Sequence, residues 1–352
     1  MSRVSRVSVI VTCYKRLNYL AEALRSVFAQ SYDNYEILVA DDSGTAAARE
    51  IVAGFAQPER IRYLAHSSTL GVASSIARTV KQARGEFIAI LNDDDSWEPQ
   101  LLEKLVTALE ANPRRVLATS DHWLMDANGN ILQELSESWS ANFGRSGLPE
   151  GVISNPARFV VSGGPAINVT SVFRKQAIDW SLLVPKIGGA YDYLIGCLLA
   201  ATRRPIYYTP ERLGRWRIHE GMETVRPAAD KRENSVYIYS TLLKEDFFHE
   251  LKPVLKAKLA ETLFATARDK LHFGRVGEAR LAFWQCLCRS GNPRALMRLL
   301  GTFLPEVLRR RLRQGLRYSR LAIGDRQGGK LPASQNLAAG LSTGGHQAPT
   351  AK

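Results

Sequence analysis

Three consecutive carboxylates, Asp93-Asp94-Asp95, follow the apolar run Phe87–Leu91 and a single Asn92. Adjacent carboxylates repel one another unless a cation or hydrogen-bond donors neutralise them. Hard divalent ions such as Mg2+ or Mn2+ suit such oxygens, and usually take one or two carboxylates plus substrate phosphates. On its own the triplet also reads as a solvated acidic turn that caps the next helix. A second acidic pair, Asp41-Asp42, ends the apolar run Glu36–Ala40. A carboxylate in that position can accept a hydrogen bond from a base N–H or a ribose hydroxyl. A further acid, Asp192, opens the apolar stretch Tyr193–Ala200. The simplest reason for it there is the favourable field of a helix N-terminus. Arg217 and His219 lie two apart and point to the same side if the segment is extended.

These groups need elements to hold them. Val7–Thr12, Tyr35–Ala40, Ile61–Ala65, Phe87–Leu91 and Arg115–Ser120 read as strands. Leu17–Gln30, Thr45–Phe55, Val72–Ala83 and Leu101–Ala111 read as helices between them, and helical pattern returns at Asp192–Ala201. Alternating strands and helices imply an α/β architecture with a mainly parallel sheet. The polar groups then fall at the carboxyl ends of strands, where open α/β sheets bind ligands. Residues from about 121 to 165, rich in Ser, Gly and Asn, read as irregular or antiparallel structure, and a Pro- and Arg-rich stretch spans Arg203–Arg217.

The full set of motifs, Val7-Ser8-Val9-Ile10-Val11-Thr12-Cys13-Tyr14-Lys15-Arg16, Glu36–Ser43, Gly71, Gly85–Leu91 and Asn92–Asp95, resembles the inverting family 2 glycosyltransferases of bacterial glycan biosynthesis. The resemblance covers residues 5 to about 220 and implies a GT-A fold, Rossmann-like with helices on a mixed sheet. Thr12-Cys13-Tyr14 and Asp42, with Asp41 beside it, fall where that family holds the nucleotide of the donor sugar. Asp93 matches a ribose- or phosphate-side contact, while Trp97 and Trp216 either stack on sugar rings or belong to the core. Asp94, with Asp95 and His219, matches the metal side, implying Mg2+ or Mn2+ as cofactor. The family's Asp-x-Asp begins here with Asn92, and Ile76-Ala77 stands where many relatives carry Arg-Asn. Asp192 matches the general base, with Tyr191 in place of a Glu; a carboxylate suits a task in which an acceptor hydroxyl loses its proton as it attacks. Arg217-Ile218-His219 resembles the closing Arg-x-His, with Arg217 near the departing diphosphate.

The implied reaction is a metal-assisted displacement with inversion, from a nucleotide-diphosphate sugar to a hydroxyl of a glycan or lipid-linked glycan. Two alternatives stay open. A nucleotidyltransferase normally shows a Gly-rich phosphate loop with a Lys, which Thr12-Cys13-Tyr14-Lys15 lacks. A non-catalytic sugar- or nucleotide-binding protein of the same fold is the other.

Composition bounds the rest. The chain has 352 residues, 45% hydrophobic and 23% charged, an ordinary globular balance. No apolar run approaches the roughly 20 residues needed to span a bilayer. The start, Met1–Arg6, shows no signal-peptide pattern, so the expected location is cytoplasmic. Cys13, Cys197, Cys286 and Cys288 have no metal or disulfide spacing and read as buried free thiols. Residues 1–200 hold 19 Lys+Arg against 21 Asp+Glu, whereas residues 201–352 hold 28 against 13. The basic excess of the second part favours anionic partners. From about 230 the pattern is helical only, with a hairpin of tetratricopeptide type over Ala267–Pro293. Leu296, Leu299, Leu300, Phe303, Val307, Leu308, Leu312 and Leu316 form one face, opposite Arg298, Arg309, Arg310, Arg311, Arg313, Arg317 and Arg320. That face packs on the catalytic domain or docks on an anionic membrane surface. Its arginines are not interleaved with aromatics, so no nucleic acid is expected. The expected division is 1–225 catalytic domain, 226–322 helical region and 323–352 disordered tail.

Overall fold

The computed structural model describes residues 6–304, apart from 56, 163, 165, 166, 221, 223–227 and 292. The leucine and arginine positions from Val307 to Arg320, and the tail from 323, lie outside the described residues.

Continuous apolar runs make the first strands, β1 (Val7–Cys13), β2 (Tyr35–Asp41) and β4 (Phe87–Asn92), which are buried on both faces. Such runs suit a parallel sheet covered by helices on both sides. With β3 (Ile61–Ala65) they form the parallel block β3-β2-β1-β4. The helices α1 (Leu17–Phe28) and α4 (Leu101–Glu110) cover one face, packing Leu20, Leu24, Leu102 and Leu105 on Val7, Val9 and Val11. The intervening residues Ile10, Leu38 and Ile90, fully buried, point to the other face, where α3 (Val72–Val80) packs on β1 and β2.

Beyond β4 the sheet becomes mixed. β8 (Ser171–Arg174) runs antiparallel between β4 and β6 (Leu117–Met125). β6 pairs in parallel with β9 (Ile206–Arg217), whose far side takes β5 (Ser96–Trp97) and β7 (Gly151–Val152). Strands β1, β4, β6 and β9 therefore end at the same edge. Strand order reverses between β1 and β4, which is where such sheets open a crevice for ligands.

Several elements differ from the sequence expectation. The helix expected over Thr45–Phe55 is only α2 (Arg49–Ala53). Its first residues fold instead as a turn, with Thr45 N donating to Ser43 Oγ at 3.2 Å and Ala46 at φ 55°. Ser and Thr side chains capture nearby backbone in this way at the expense of helix. The expected strand Arg115–Ser120 continues to Met125 through a bulge between Ser120 and His122. The region expected to be irregular holds α5 (Gln133–Asn142) and α6 (Pro156–Val161). Asn155 caps α6 by accepting from Arg158 N, and Pro156 occupies its first turn. The Pro- and Arg-rich stretch is the long strand β9, and α7 (Tyr191–Ala201) follows the helical pattern.

Residue contacts divide the chain into two units, Met1–Glu220 with Lys244–Leu251, and Gly221–Leu243 with Lys252–Lys352. The described part of the second unit contains α8 (Ala228–Leu242), α9 (Lys252–His272), α10 (Val276–Ser290) and α11 (Pro293–Gly301). Its core joins Leu259, Leu263, Ala279, Phe283 and Ala295. Cys13, Cys197 and Cys286 are buried, but Cys288 is exposed because it faces away from that core. Among the described residues no helix is long and apolar enough to cross a membrane.

Candidate active site

The crevice is built first by register. Parallel pairing sets Thr12 opposite both Asn92 and Ala40, and Cys13 opposite Asp41. Thr12, Asp41 and the acidic run thus emerge together. Asn92 then ties three elements. Its Oδ1 accepts from Thr12 Oγ1 at 3.1 Å and from the Tyr191 hydroxyl at 2.8 Å, while its Nδ2 donates to Asp95 Oδ2 at 3.4 Å. A carboxylate could accept those hydroxyls but could not donate to Asp95. The departure from Asp-x-Asp therefore has a structural use, and it fastens the start of α7 to the end of β4.

The three carboxylates have separate fates. Asp93 is fully buried; its Oδ2 accepts from Tyr14 N at 2.9 Å and its Oδ1 lies 2.7 Å from Arg16 Nη2. Burial pushes the Asp93 carboxyl up to about 7, with Arg16 pulling the other way. Asp94 turns its Oδ2 toward two side chains, the Arg16 guanidinium and the His219 imidazole, whose Nε2 lies 3.0 Å away. Asp95 turns inward: Oδ1 accepts from Arg217 N at 3.0 Å, so it anchors the end of β9. Burial, and then the neighbouring Asp94 charge, hold the Asp95 carboxyl well above the usual carboxylate range. Both Asp95 oxygens are thus engaged inside the protein, Oδ1 by the β9 backbone and Oδ2 by Asn92, which makes Asp95 a poorer cation ligand than Asp94.

The second acidic pair holds loops. Asp41 Oδ2 accepts from the Tyr63 hydroxyl at 2.5 Å and Oδ1 from Ser43 N at 2.9 Å. Burial alone would raise its pKa; these hydrogen bonds outweigh burial and hold it below the usual range. Asp42 accepts from Leu70 N at 2.7 Å and Gly71 N at 2.8 Å, fixing the entry to α3. Gly71 sits at φ 84°, a left-handed conformation that glycine adopts without a Cβ penalty. Each carboxylate oxygen of Asp42 keeps a further lone pair for a ligand hydroxyl or N–H.

Four other expectations change. Trp97 is buried in the core and its Nε1–H donates to the Val169 carbonyl at 2.5 Å, so its indole is not on offer to a sugar. Trp216 sits edge-on to Trp139 and His122, with centroids 5.1 and 5.8 Å away. The Cys13 side chain belongs to the core, and burial pushes its thiol up. Arg217 is 1% exposed, and its guanidinium donates to the Asp94 carbonyl at 2.9 Å, to the carbonyls of Asp126 and Ala127, and to Glu22 Oε1 at 2.5 Å. It also lies 4.6 Å from the Tyr19 ring centroid. With its donors spent on the protein, Arg217 positions the acidic run and does not reach for diphosphate. Tyr14, by contrast, stands 39% exposed at the mouth.

Arg16 was missed as a site residue. Its place four residues after Thr12 gave no spacing cue, since the chain turns sharply at Lys15 (φ 64°) before α1. That turn brings the guanidinium back over Asp93 and Asp94. Tyr191, known only as the residue before the expected base, is the link to Asn92. Asp192 itself is half-buried in the first turn of α7, with Oδ1 accepting from Tyr193 N at 2.7 Å. Burial pushes the Asp192 carboxyl up to about 6, against that backbone hydrogen bond.

A divalent cation fits the chemistry of Asp94. It presents a carboxylate oxygen with an imidazole 3.0 Å away, a two-ligand set of the kind that substrate phosphates complete. Among the described residues no group of three or more His, Cys, Asp or Glu is arranged to hold a metal by itself. The Arg16 guanidinium meets the same oxygen and balances its charge.

Residues 8–159 match the model of glycosyl transferase family 2. An uncharacterized glycosyltransferase of Rickettsia bellii is 30% identical over 141 residues, covering 40% of this chain and 20% of that protein. The chain spans well under two thirds of the length of the curated relatives it matches. Among solved structures, Staphylococcus aureus TarS 1-349 in complex with UDP-GlcNAc aligns with a TM-score of 0.61 at 16% identity, over 82% of each chain. The mannosyltransferase PcManGT of Pyrobaculum calidifontis, in complex with GDP-Man and Mn2+, aligns with a TM-score of 0.51 at 15% identity, over 97% of this chain and 81% of that one. With the acidic run at the β1/β4 crevice and a mixed sheet flanked by helices, the chain has a GT-A fold in which residues 8–159 are similar to glycosyl transferase family 2.

Proposed function

We propose that the chain transfers a sugar from a nucleotide-diphosphate donor to a hydroxyl of a glycan or lipid-linked glycan, with inversion and with Mg2+ or Mn2+ as cofactor. One observation carries this reading: Asp94 lies at the crevice between the Arg16 guanidinium and the His219 imidazole while Tyr191 fastens the start of α7, and with it Asp192, to the same strand end. A relative named as an uncharacterized glycosyltransferase and structural neighbours holding UDP-GlcNAc or GDP-Man with Mn2+ support it.

In this reading Thr12, Tyr14, Asp41 and Asp42 flank the nucleotide, and Asp93 orders the turn beneath it. Asp94 and His219 hold the cation, which when bound polarises the diphosphate and stabilises its growing charge. Arg16 exchanges its contact with Asp94 for a donor phosphate. Asp192 takes the proton of the acceptor hydroxyl as oxygen attacks the anomeric carbon, and the nucleotide diphosphate departs from the opposite face. The bond formed is the new glycosidic C–O, the bond broken is the anomeric C–O to phosphate, and no covalent enzyme intermediate is needed.

A panel of nucleotide sugars with Mn2+ or Mg2+, tested for binding and slow hydrolysis in wild type and Asp94→Ala, checks this. Donor-dependent signal that vanishes in the variant is expected. Silence from every donor would favour the non-catalytic reading.

For the second unit we propose contact with an anionic membrane surface, near a lipid-linked acceptor. Support comes from exposed Leu281, Trp284, Met297, Leu300 and Phe303, together with the arginines of that part of the sequence. A cytoplasmic, membrane-peripheral location follows from this reading.

A further inference from the structure

A second cleft, of about 870 Å³, opens in the first unit among β6, β9 and α5, and none of its lining residues belongs to the donor site. Its inner wall is charged. Arg145 is 3% exposed, donates Nε–H to Asp121 Oδ1 at 2.9 Å and Nη1–H to the Gly164 carbonyl at 2.9 Å. Asp121 Oδ2 accepts from Ser140 Oγ at 2.5 Å and lies 3.8 Å from Arg212 Nε. The Arg212 guanidinium in turn covers the Trp123 ring, 4.2 Å from its centroid. Two guanidiniums thus share one carboxylate, which leaves one positive charge in excess.

Two donors in this wall have no hydrogen-bond partner among the described residues: Arg145 Nη2 and the hydroxyl of Tyr208, whose side chain is fully buried. Buried donors without acceptors cost free energy, and folded proteins rarely leave them unpaired. Both line the cleft. The bulge in β6 at Ser120–His122 helps to build this wall, because it breaks the register with β9 where Asp121 emerges. At the rim the charge reverses. Glu98, Glu137 and Glu211 line it, with Glu98 paired to Arg215 at 2.7 Å and Glu211 to Lys104.

We propose that this cleft is a second ligand site, one that takes the anionic group of an acidic sugar. A carboxylate or phosphate would accept from Arg145 Nη2, the Tyr208 hydroxyl and Arg212. The cleft is far larger than a lone anion needs, and rim carboxylates accept sugar hydroxyls while repelling a second negative charge. The ligand is therefore a polyhydroxylated molecule with one anionic group. This inference is independent of the donor reading, since it requires neither nucleotide sugar nor metal.

The test is calorimetric titration of the full chain, without nucleotide sugar, using glucuronate, glucose 6-phosphate, glucose and inorganic phosphate. Saturable binding of glucuronate or glucose 6-phosphate is expected, with glucose weaker by about tenfold or more, as loss of hydrogen bonds to a charged group predicts. Which acid binds tighter tells carboxylate from phosphate. Tyr208→Phe should leave the melting temperature unchanged or raised, because the hydroxyl has no partner to lose among the described residues, yet weaken the acid about tenfold. Arg212→Gln, on a half-buried side chain, should weaken it as well. Wild-type affinity in Tyr208→Phe, or no binding of either acid, overturns the proposal; inorganic phosphate binding as tightly as both acids removes the sugar. Donor hydrolysis by Tyr208→Phe should match wild type, so a failed donor assay and a failed cleft assay remain distinguishable.

Discussion

Residue by residue, the crevice is a set of acids given unlike environments by small differences in direction. Asp94 faces the Arg16 guanidinium and the His219 imidazole, Asp95 faces the backbone of β9, and Asp192 opens a helix. Because the Asp192 carboxyl is raised to about 6, transfer should fall as pH drops through about 6, whereas an ordinary carboxylate would hold activity to about 4. A pH–kcat profile checks this; an acid limb near 4 would remove Asp192 as the base. The sign for stability is opposite. Burial disfavours the charged form, so the contribution of Asp192 is fully present below the unfolded-state value and is lost as pH rises through about 6. Asp192→Asn should therefore keep donor binding, lose transfer, and be more stable than wild type at pH 8 by roughly 1–3 kcal/mol in urea unfolding. Asn92→Asp adds a fourth carboxylate to a buried cluster and loses the donation to Asp95. It should lower the melting temperature without metal, by an effect of roughly 1–3 kcal/mol, and regain part of it with Mn2+. An unchanged melting temperature would show that the amide has no structural use.

At the scale of elements, the site depends on β1 and β4 keeping register, and Gly85 guards it. Its N–H donates to Ser8 Oγ at 2.8 Å, and an added Cβ would lie 2.5 Å from Ser8 N. Gly85→Ala should cost about 1–3 kcal/mol by overpacking and weaken donor binding with it, because Thr12 and Asn92 would no longer meet. Denaturant midpoints and donor affinity measured on one preparation check both effects. Strands and most helices were legible because burial on both faces leaves continuous apolar runs, and amphipathic helices leave a 3.6-residue stripe. The failures were local. The Ser43–Thr45 turn displaced the first turns of a helix, and α5 carries mostly polar residues, so periodicity offered little signal there.

For the whole molecule, charge and apolar exposure are unevenly distributed. The second unit exposes Trp284 at 55% and Met297 at 66%. Exchanging Leu281 and Trp284 for Ser should leave stability nearly unchanged, since exposed positions seldom matter by more than about 0.5 kcal/mol. The same exchange should reduce co-sedimentation with anionic vesicles, and added salt should reduce it further. Equal binding of variant and wild type would sink the membrane reading. The acidic motifs and their order along the chain were fixed by sequence alone, because a carboxylate at the end of an apolar strand is visible without coordinates. So was the resemblance to glycosyl transferase family 2, through Val7–Arg16, Asp41-Asp42 and Asn92–Asp95 in succession, which the match over residues 8–159 supports. Which acid meets a cation, which is turned inward, and that Arg16 returns over Asp93 while Arg217 is spent on backbone carbonyls were decided only by tertiary structure. The physical reason is that side-chain direction and burial depend on partners distant in sequence, as with Asp94 and His219, and no local pattern encodes those partners.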